Sequence, residues 1–465
     1  MDEKRFLGIT VLADFILNEG AEAILENLRL AGATAVALNP TVTVEAPEGE
    51  GSFQPPSDAG SSPRLFDRPL WGRRQLWVRS APSYRPDASF YRGCPYGPRQ
   101  ADATTDEFGG RVEGFIDAAL AAGFEVYLQV AACRPSALRD EDRPRLPDGG
   151  PPQARMADTA SLASPAVRAY NAAYIADLLA RYPQVSGFRP DWPEYPCYKL
   201  DEAFQDFGPH VEKWARAAGF DFEAIRREVG ALYRHLHGGL RNADLEDWAG
   251  AGGGRFEQAR LLRRYPAVLE WLRLKSALSV DLLADWRACL DAAGGAGKKL
   301  SANAFMPPFT LFTGFDFAGA AAHCDAASPK LYTMHWSAMV EFWGRVLLER
   351  NPGLDEGLLT RALARLFDLD DECAAEGLAD YGYPEPDEAH PVADGPQRRK
   401  IDQALTEAGE GMQITPLVHG YGPAADFERR FRLVAESPAH GAWINRYGYL
   451  GDDKLEAIGR LWGGR

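Results

Sequence analysis

Eight short apolar segments recur along the chain, and each is followed by at least one stretch with helical spacing. The first segment covers residues 6–14 and the second covers residues 33–39, with a helix predicted between them over residues 19–31. Near-continuous apolar runs of this kind are typical of parallel strands that are buried on both faces. A strand, a helix and a second strand in close succession form a βαβ unit. The other six strands are predicted over residues 124–132, 185–189, 299–307, 327–333, 411–419 and 441–447.

This alternation predicts an α/β fold in which residues 1–465 form a single (β/α)8 TIM barrel. The alternative is a doubly wound sheet, but no glycine-rich phosphate turn follows the first strand, which weakens a nucleotide-binding interpretation. Helices are predicted over residues 107–122, 166–181, 209–218, 221–237, 245–248, 256–290, 315–322, 338–348, 355–366, 395–407, 424–436 and 452–461.

Two insertions depart from the regular alternation. Residues 40–105 follow the second strand as a long loop rich in Pro, Gly, Ser, Arg and aromatic residues. Such a long loop inside a domain is commonly functional, so we expect a lid or one wall of a ligand cleft, with a short strand pair near residues 75–78. Residues 209–292 are predicted as a helical insertion after strand four, and extra helices also follow strand six.

Composition and charge limit the classes of function open to this chain. Hydrophobic residues make up 46% and charged residues 25% of it, which is typical of a folded globular protein. The net charge of −15 repels phosphate backbones and anionic lipids, so we expect no nucleic acid or membrane partner. A neutral small molecule or oligosaccharide fits better. Six cysteines without a CxxC pair, no recognisable secretory signal and no apolar run of membrane-spanning length predict a soluble, cytoplasmic protein.

The segment of residues 185–198, VSGFRPDWPEYPCY, concentrates the chemistry. Its three prolines lack backbone donors and restrict the residues before them, so the fourth strand should end here in a stiff loop. Asp191 and Glu194 lie in that loop beside Trp192 and Tyr195. Two carboxyl groups next to aromatic faces suit acid/base chemistry on a sugar ring, while an ordinary surface loop with a helix-capping Asp is the alternative.

Other candidate site residues follow from the barrel itself, because active residues of such barrels lie at the carboxyl ends of the strands. Each has a structural alternative, such as a helix cap for Asp14, a turn for Asn39 or an ion pair for Lys330. The candidate binding residues are Asp14, Asn39, Gln129, Arg134, Trp192, Asn303, Lys330, Tyr332, His335, Trp336, His419, Asn445 and Arg446.

Several other chemistries lack their motifs in this sequence. There is no H-x-H after the first strand, no H-E-x-x-H, no thiolate pair and no G-x-S-x-G. We therefore expect neither a metal nor a cofactor, and carboxylate chemistry is the option that remains.

Four stretches also resemble a known group of proteins. Residues 164–170 (SPAVRAY), followed by residues 185–191 (VSGFRPD), are similar to the third helix and fourth strand of TIM-barrel glycoside hydrolase-like proteins. Residues 270–275 (EWLRLK) and 329–332 (PKLY) resemble later landmarks of the same group, so the similarity spans most of the barrel.

The resemblance implies a glycosidase in which an acid after strand four, Glu194 or Asp191, protonates the glycosidic oxygen. The common retaining arrangement also has a carboxylate at the end of strand seven. Here that strand ends at His419, and no acid follows before Asp426. An inverting arrangement with a more distant base, such as Asp191, Asp14 or an acid of an insertion loop, is therefore open as well.

The sequence as a whole predicts a glycoside hydrolase that acts on a carbohydrate or glycoconjugate. Glu194 is the expected general acid, its pKa raised by Trp192, Tyr195 and the covering loop, and Asp191 is its charged partner. One alternative is a non-hydrolytic sugar enzyme, namely an isomerase, lyase or deglycosidase, with His335 or His419 as the base and a divalent metal ion. The other is a carbohydrate-binding protein without turnover.

Overall fold

The computed structural model describes residues 5–56, 64–153, 155–250, 254–372 and 374–463. Eight parallel strands pair in chain order, and the last pairs with the first, so the sheet closes into a barrel. The predicted (β/α)8 fold is thereby confirmed. The strands are β1 (Phe6–Thr10), β2 (Ala35–Leu38), β3 (Glu125–Ala131), β4 (Gly187–Asp191), β5 (Lys299–Ala304), β6 (Ala326–Leu331), β7 (Leu417–His419) and β8 (Gly441–Asn445).

Helices surround this barrel, and most lie close to the predicted positions. The π-helical turn Asp291–Gly295 and the 3-10 turns Ala88–Tyr91, Asp140–Asp142, Leu378–Tyr381 and Tyr447–Tyr449 supplement them. The α-helices are Ala13–Glu19, Ala21–Leu30, Ala103–Ala121, Pro165–Arg181, Leu200–Ala203, Pro209–Ala217, Phe222–Leu236, Asn242–Ala249, Arg255–Arg264, Ala267–Leu290, Phe309–Thr313, Phe317–Ala320, Thr333–Arg350, Glu356–Leu366, Asp394–Ala408, Ala424–Glu436 and Asp452–Gly463.

Three local differences from the predicted elements have clear causes. The helix predicted over residues 256–290 is two helices, because Pro266 cannot donate to a helical hydrogen bond and restricts Tyr265 before it. The seventh strand, predicted over residues 411–419, is interrupted at Pro416 for the same lack of a donor. The apolar run predicted to stay extended to residue 14 turns instead into a short helix, with Asp14 in its first turn.

The lower part of the barrel interior is filled by a few large side chains and several small ones. Trp443, Tyr127 and Leu417 meet there above Ala35 and Ala37 of β2. The packing is so tight that a Cβ atom at Gly8 would lie 2.3 Å from the Trp443 ring. The interior is therefore a filled core at this level.

The long loop after β2 contains an antiparallel sheet of Thr41–Glu45, Ser52–Gln54 and Leu76–Pro82. A short strand pair was predicted near residues 75–78, where the structure has the single strand Leu76–Pro82. Its two partner strands lie earlier in the loop and were not predicted. Residues 57–63 of the expected lid lie outside the described residues. The loop is tied to the barrel because the Lys454 ammonium donates to Asp67 at 2.6 Å, and Arg68 pairs with Glu19 at 3.1 Å.

The described part of the chain contains neither a disulfide nor a helix that could span a membrane. The five described cysteines are free thiols, and Cys373 lies outside the described residues. Within the described ranges, every helix is too short or too polar to cross a bilayer.

Candidate active site at the mouth of the barrel

The end of β4 faces the end of β6 across the barrel mouth through an ion pair. The Lys330 ammonium lies 2.7 Å from Asp191 Oδ1, and the two side chains are 4% and 23% exposed. Burial lowers the pKa of Lys330, and the Asp191 carboxylate opposes that change. The same ammonium lies 4.5 Å from the centre of a Trp192 ring. Asp191 is therefore a partly accessible carboxyl group that is held in place by a buried lysine.

Glu194 occupies the opposite kind of environment. Its side chain is fully buried, Oε1 accepts the Phe305 N–H at 2.6 Å, and Oε2 accepts the Thr313 hydroxyl. Burial raises the pKa of Glu194 to about 7, although the two hydrogen bonds act against the rise. Glu194 is thus a group that exchanges a proton near neutral pH, and the protein covers it completely in this structure.

Trp192 connects the two carboxyl groups in an unusual backbone conformation. Its φ of 54° lies in the left-handed region, which bulky residues rarely adopt. The turn is held by the Trp192 N–H, which donates to the Asn303 carbonyl at 3.3 Å, and by the Ser279 hydroxyl, which donates to the Pro193 carbonyl at 2.7 Å. Backbone strain of this kind persists only where the surroundings enforce it, and it is common at functional sites.

Aromatic and imidazole rings form the wall beside this pair. The Tyr332 ring meets the His419 ring edge to face at 4.9 Å and the His335 ring at 5.4 Å. His419 Nδ1 accepts the Tyr421 N–H at 3.1 Å, which leaves the hydrogen on Nε2. Burial, together with Arg64 and other cations, holds the pKa of His419 well below its usual range. His419 is therefore a neutral hydrogen-bond donor at physiological pH.

Asp14 and Arg446 lie at the ends of β1 and β8. Asp14 is buried, its Oδ1 accepts the Phe15 N–H at 3.0 Å, and burial raises its pKa to about 6 against the opposing charge of Arg446. The Arg446 side chain is partly exposed. Both residues were expected at the site from their positions at strand ends.

Below these groups, inward-facing polar atoms of the barrel lack protein partners. Arg189 donates to Asn303 Oδ1 at 2.6 Å and stacks over Trp443 at 3.5 Å, and burial lowers its pKa to about 9. Among the described residues, no hydrogen-bond partner is found for Arg189 Nε and Nη1, Asn303 Nδ2, Gln129 Oε1, Thr10 Oγ1 or Trp192 Nε1. Buried polar groups are almost always hydrogen-bonded, so this cluster of buried polar atoms without partners indicates a binding site for a polar ligand.

The remaining predicted residues have other positions. The Asn39 amide donates to the Gln129 carbonyl at 2.9 Å and so links β2 to β3. Asn445 is buried, and its carbonyl accepts the Gly420 N–H at 2.6 Å. Arg134 is exposed after β3. Trp336 is 1% exposed and packs in the core against Phe309, away from the ring wall of Tyr332.

Several residues that shape the site were not predicted. Arg189 could have been found, since it precedes Asp191 by two positions and strand side chains alternate in direction. Nothing in the sequence pointed to Thr313 or to Arg64 of the long loop. The buried Arg64 guanidinium lies 6.0 Å from the rings of both Tyr421 and Tyr449. Within the described ranges, no group of three or more His, Cys, Asp and Glu residues is arranged to hold a metal ion.

Comparison with known proteins extends the fold assignment. No protein-family model and no curated protein matches the sequence. Among solved structures, the β-galactosidase of the psychrophilic Marinomonas ef1 has a TM-score of 0.53 and 11% identity, covering 98% of this chain and 59% of that chain. The catalytic domain of the Paenibacillus polymyxa β-amylase has a TM-score of 0.47 and 10% identity, covering 98% and 96%. The chain is thus similar in fold to that β-galactosidase, and it spans about three fifths of the length of that chain.

Proposed function

We propose that this protein is a glycoside hydrolase whose reaction takes place at the mouth of the barrel. The observation that carries the proposal is that two carboxyl groups at the end of β4, those of Asp191 and Glu194, lie in different environments. Asp191 is partly exposed and forms an ion pair with Lys330, whereas Glu194 is fully buried and burial raises its pKa to about 7. Glycosidic acid/base chemistry requires two carboxyl groups in different environments.

In this proposal Glu194 is the proton donor to the glycosidic oxygen. Its raised pKa keeps a large protonated fraction at neutral pH, which is the state a general acid needs. Because the carboxyl group is fully covered, the turn around Trp192 has to shift when a substrate enters. Catalytic contacts often become short only in the substrate complex, so the covered position is compatible with the role.

Asp191 is the charged partner. It faces the mouth, and its carboxylate either activates a water molecule or stabilises positive charge that develops on the sugar ring. The end of β7 carries the neutral His419 in place of a carboxylate. The reaction therefore relies on Asp191, with Asp14 as the other carboxyl group at the strand ends.

The ligand class follows from the surrounding groups. Asn303 and Gln129 offer buried polar atoms without protein partners, and His419 offers a neutral donor. The faces of Trp192 and Tyr332 suit the apolar side of a sugar ring. A compound with many hydroxyl groups and one apolar face satisfies this set, which supports a carbohydrate substrate.

A carbohydrate-binding protein without turnover is the second candidate. It is favoured by one observation, namely that Glu194 is fully covered and that both of its oxygens accept hydrogen bonds from the protein. In that case Glu194 would hold the loop between β4 and β5, and Asp191 would only bind the sugar.

Hydrolysis of a panel of glycosides by the wild type, Asp191→Asn and Glu194→Gln distinguishes the two. We expect Asp191→Asn to lose activity on every substrate. Glu194→Gln should lose about 10²- to 10⁴-fold on alkyl glycosides but much less on activated aryl glycosides, whose leaving groups need no proton. Glu270→Gln, on an exposed part of the helix Ala267–Leu290, is the matched control and should be unchanged. Sugar binding with no hydrolysis by any form would contradict the hydrolase and support the binding protein.

A further inference from the structure

The electrostatic environment at the ends of β7 and β8 is cationic, although the protein as a whole carries a net charge of −15. The charged groups that act on His419 include the guanidinium groups of Arg64, Arg446 and Arg430, of which Arg430 is paired with Asp426 at 2.7 Å. At Tyr332, three arginines act against the single carboxylate of Asp191. A local excess of positive charge at the mouth of an acidic protein indicates attraction of a negatively charged ligand.

Arg446 is the residue most suited to bind that ligand. It directly follows β8, and its side chain is partly exposed at the mouth. Within the described ranges its guanidinium makes no hydrogen bond and no ion pair, in contrast to Lys330, which is paired with Asp191. Asp14 lies near enough to interact with Arg446 electrostatically, but the hydrogen bond of its Oδ1 comes from the Phe15 N–H.

We propose that the barrel mouth binds a sugar that bears a carboxylate, a uronic acid unit, and that Arg446 binds this carboxylate. The proposal rests on the proposed function, since it takes the mouth to be a carbohydrate site. The planar guanidinium donates two parallel hydrogen bonds to a carboxylate, a geometry that a neutral sugar cannot use. A sugar phosphate would match the same fork, but it carries a second negative charge that the single guanidinium of Arg446 leaves unpaired.

Calorimetric titration of the full chain with free sugars tests this assignment. The probes are D-glucuronate and D-galacturonate, their neutral counterparts D-glucose and D-galactose, and D-glucose 6-phosphate. We expect at least one uronate to bind about tenfold to a hundredfold more tightly than its neutral counterpart, the range for a hydrogen-bonded charge pair. Arg446→Gln should bring this ratio close to one, and Arg446→Lys should leave an intermediate value, because Lys keeps the charge but loses the fork.

Arg398→Gln is the matched control, because it also removes one guanidinium group. Arg398 lies on the helix Asp394–Ala408, its side chain is 57% exposed, and it pairs only loosely with Glu436 at 3.7 Å. It should leave the uronate preference unchanged, and thermal unfolding should show that each variant is folded. Equal binding of uronate and neutral sugar, an unchanged preference in Arg446→Gln, or tighter binding of the sugar phosphate would each overturn the inference.

The same titration separates this inference from the proposed function. Hydrolysis of neutral glycosides without a uronate preference would overturn the inference and leave the hydrolase proposal standing. Uronate binding that depends on Arg446, without hydrolysis of any glycoside, would support the inference and contradict the hydrolase proposal.

Discussion

Replacing Glu194 by Gln should change the pH dependence of stability as well as activity. The side chain is fully buried and accepts two hydrogen bonds, from the Phe305 N–H and the Thr313 hydroxyl. A glutamine of nearly the same shape keeps both bonds, because its carbonyl oxygen can accept the N–H and its amide can donate to the hydroxyl oxygen. The substitution therefore removes the ionisation of this group and little else.

The magnitude follows from the pKa of Glu194, which burial raises from its ordinary value of 4.5 to about 7. Below pH 4.5 the group is protonated in both the folded and the unfolded state, so it contributes no pH-dependent stability. As the pH rises through 4.5 towards 7, the unfolded state ionises first, and the folded state loses stability. The full difference, reached above pH 7, is about 3 kcal/mol, and Glu194→Gln lacks this loss.

Urea unfolding at pH 5 and pH 8.5 measures this difference. We expect the free energies of unfolding of wild type and Glu194→Gln to be close at pH 5, and the variant to be more stable by up to about 3 kcal/mol at pH 8.5. Glu270→Gln, on an exposed helix position, should show no such divergence. If Glu194→Gln is destabilised equally at both pH values, Glu194 is not a buried carboxyl group whose ionisation destabilises the folded state.

Three further substitutions test separate parts of the structure. Thr313→Val removes the hydroxyl whose hydrogen bond lowers the pKa of Glu194. The alkaline limb of the pH–rate profile should therefore move to higher pH. A limb that does not move would contradict the role of Glu194 as the acid. Gly8→Ala should destabilise the barrel by about 2 kcal/mol or more in urea unfolding, because its Cβ would lie 2.3 Å from the Trp443 ring. Gly110→Ala, a helical glycine with open space around its Cβ position, should instead stabilise by about 0.5–1 kcal/mol, and equal effects at the two glycines would refute the tight interior.

The strand positions could be predicted from the sequence because parallel strands buried on both faces stand out as apolar runs. The errors arose where one residue overrides the pattern. Pro416 interrupts the seventh strand and Pro266 divides the long helix, although the apolar periodicity continues through both. The short helix Ala13–Glu19 was missed because its buried face continues the apolar run of β1.

The candidate site was only partly predictable, for a different physical reason. Asp191, Trp192 and Glu194 are neighbours in the chain, so their proximity follows directly from the sequence. The pairing of Asp191 with Lys330 depends on closure of the barrel, which no local pattern encodes. The hydrogen bonding of Glu194 depends in the same way on Thr313, which lies at the end of the separate helix Phe309–Thr313.

Two predicted binding residues show the limits of assignment by position. Consecutive residues of a helix point about 100° apart, so Trp336 packs into the core while the adjacent His335 joins the ring wall. Arg134 follows β3 as expected but is exposed. A position after a strand end therefore brings a residue to the correct end of the barrel but does not determine the direction of its side chain.

A crystal structure of Asp191→Asn with an uncleaved glycoside would test the central proposal most directly. We expect a sugar ring against Trp192 and Tyr332, with its glycosidic oxygen about 3 Å from a Glu194 carboxyl oxygen. That oxygen should have lost one of the hydrogen bonds that it accepts in the present structure. A bound glycoside with Glu194 still covered and still bonded to Phe305 and Thr313, or a glycoside bound away from the barrel mouth, would contradict it.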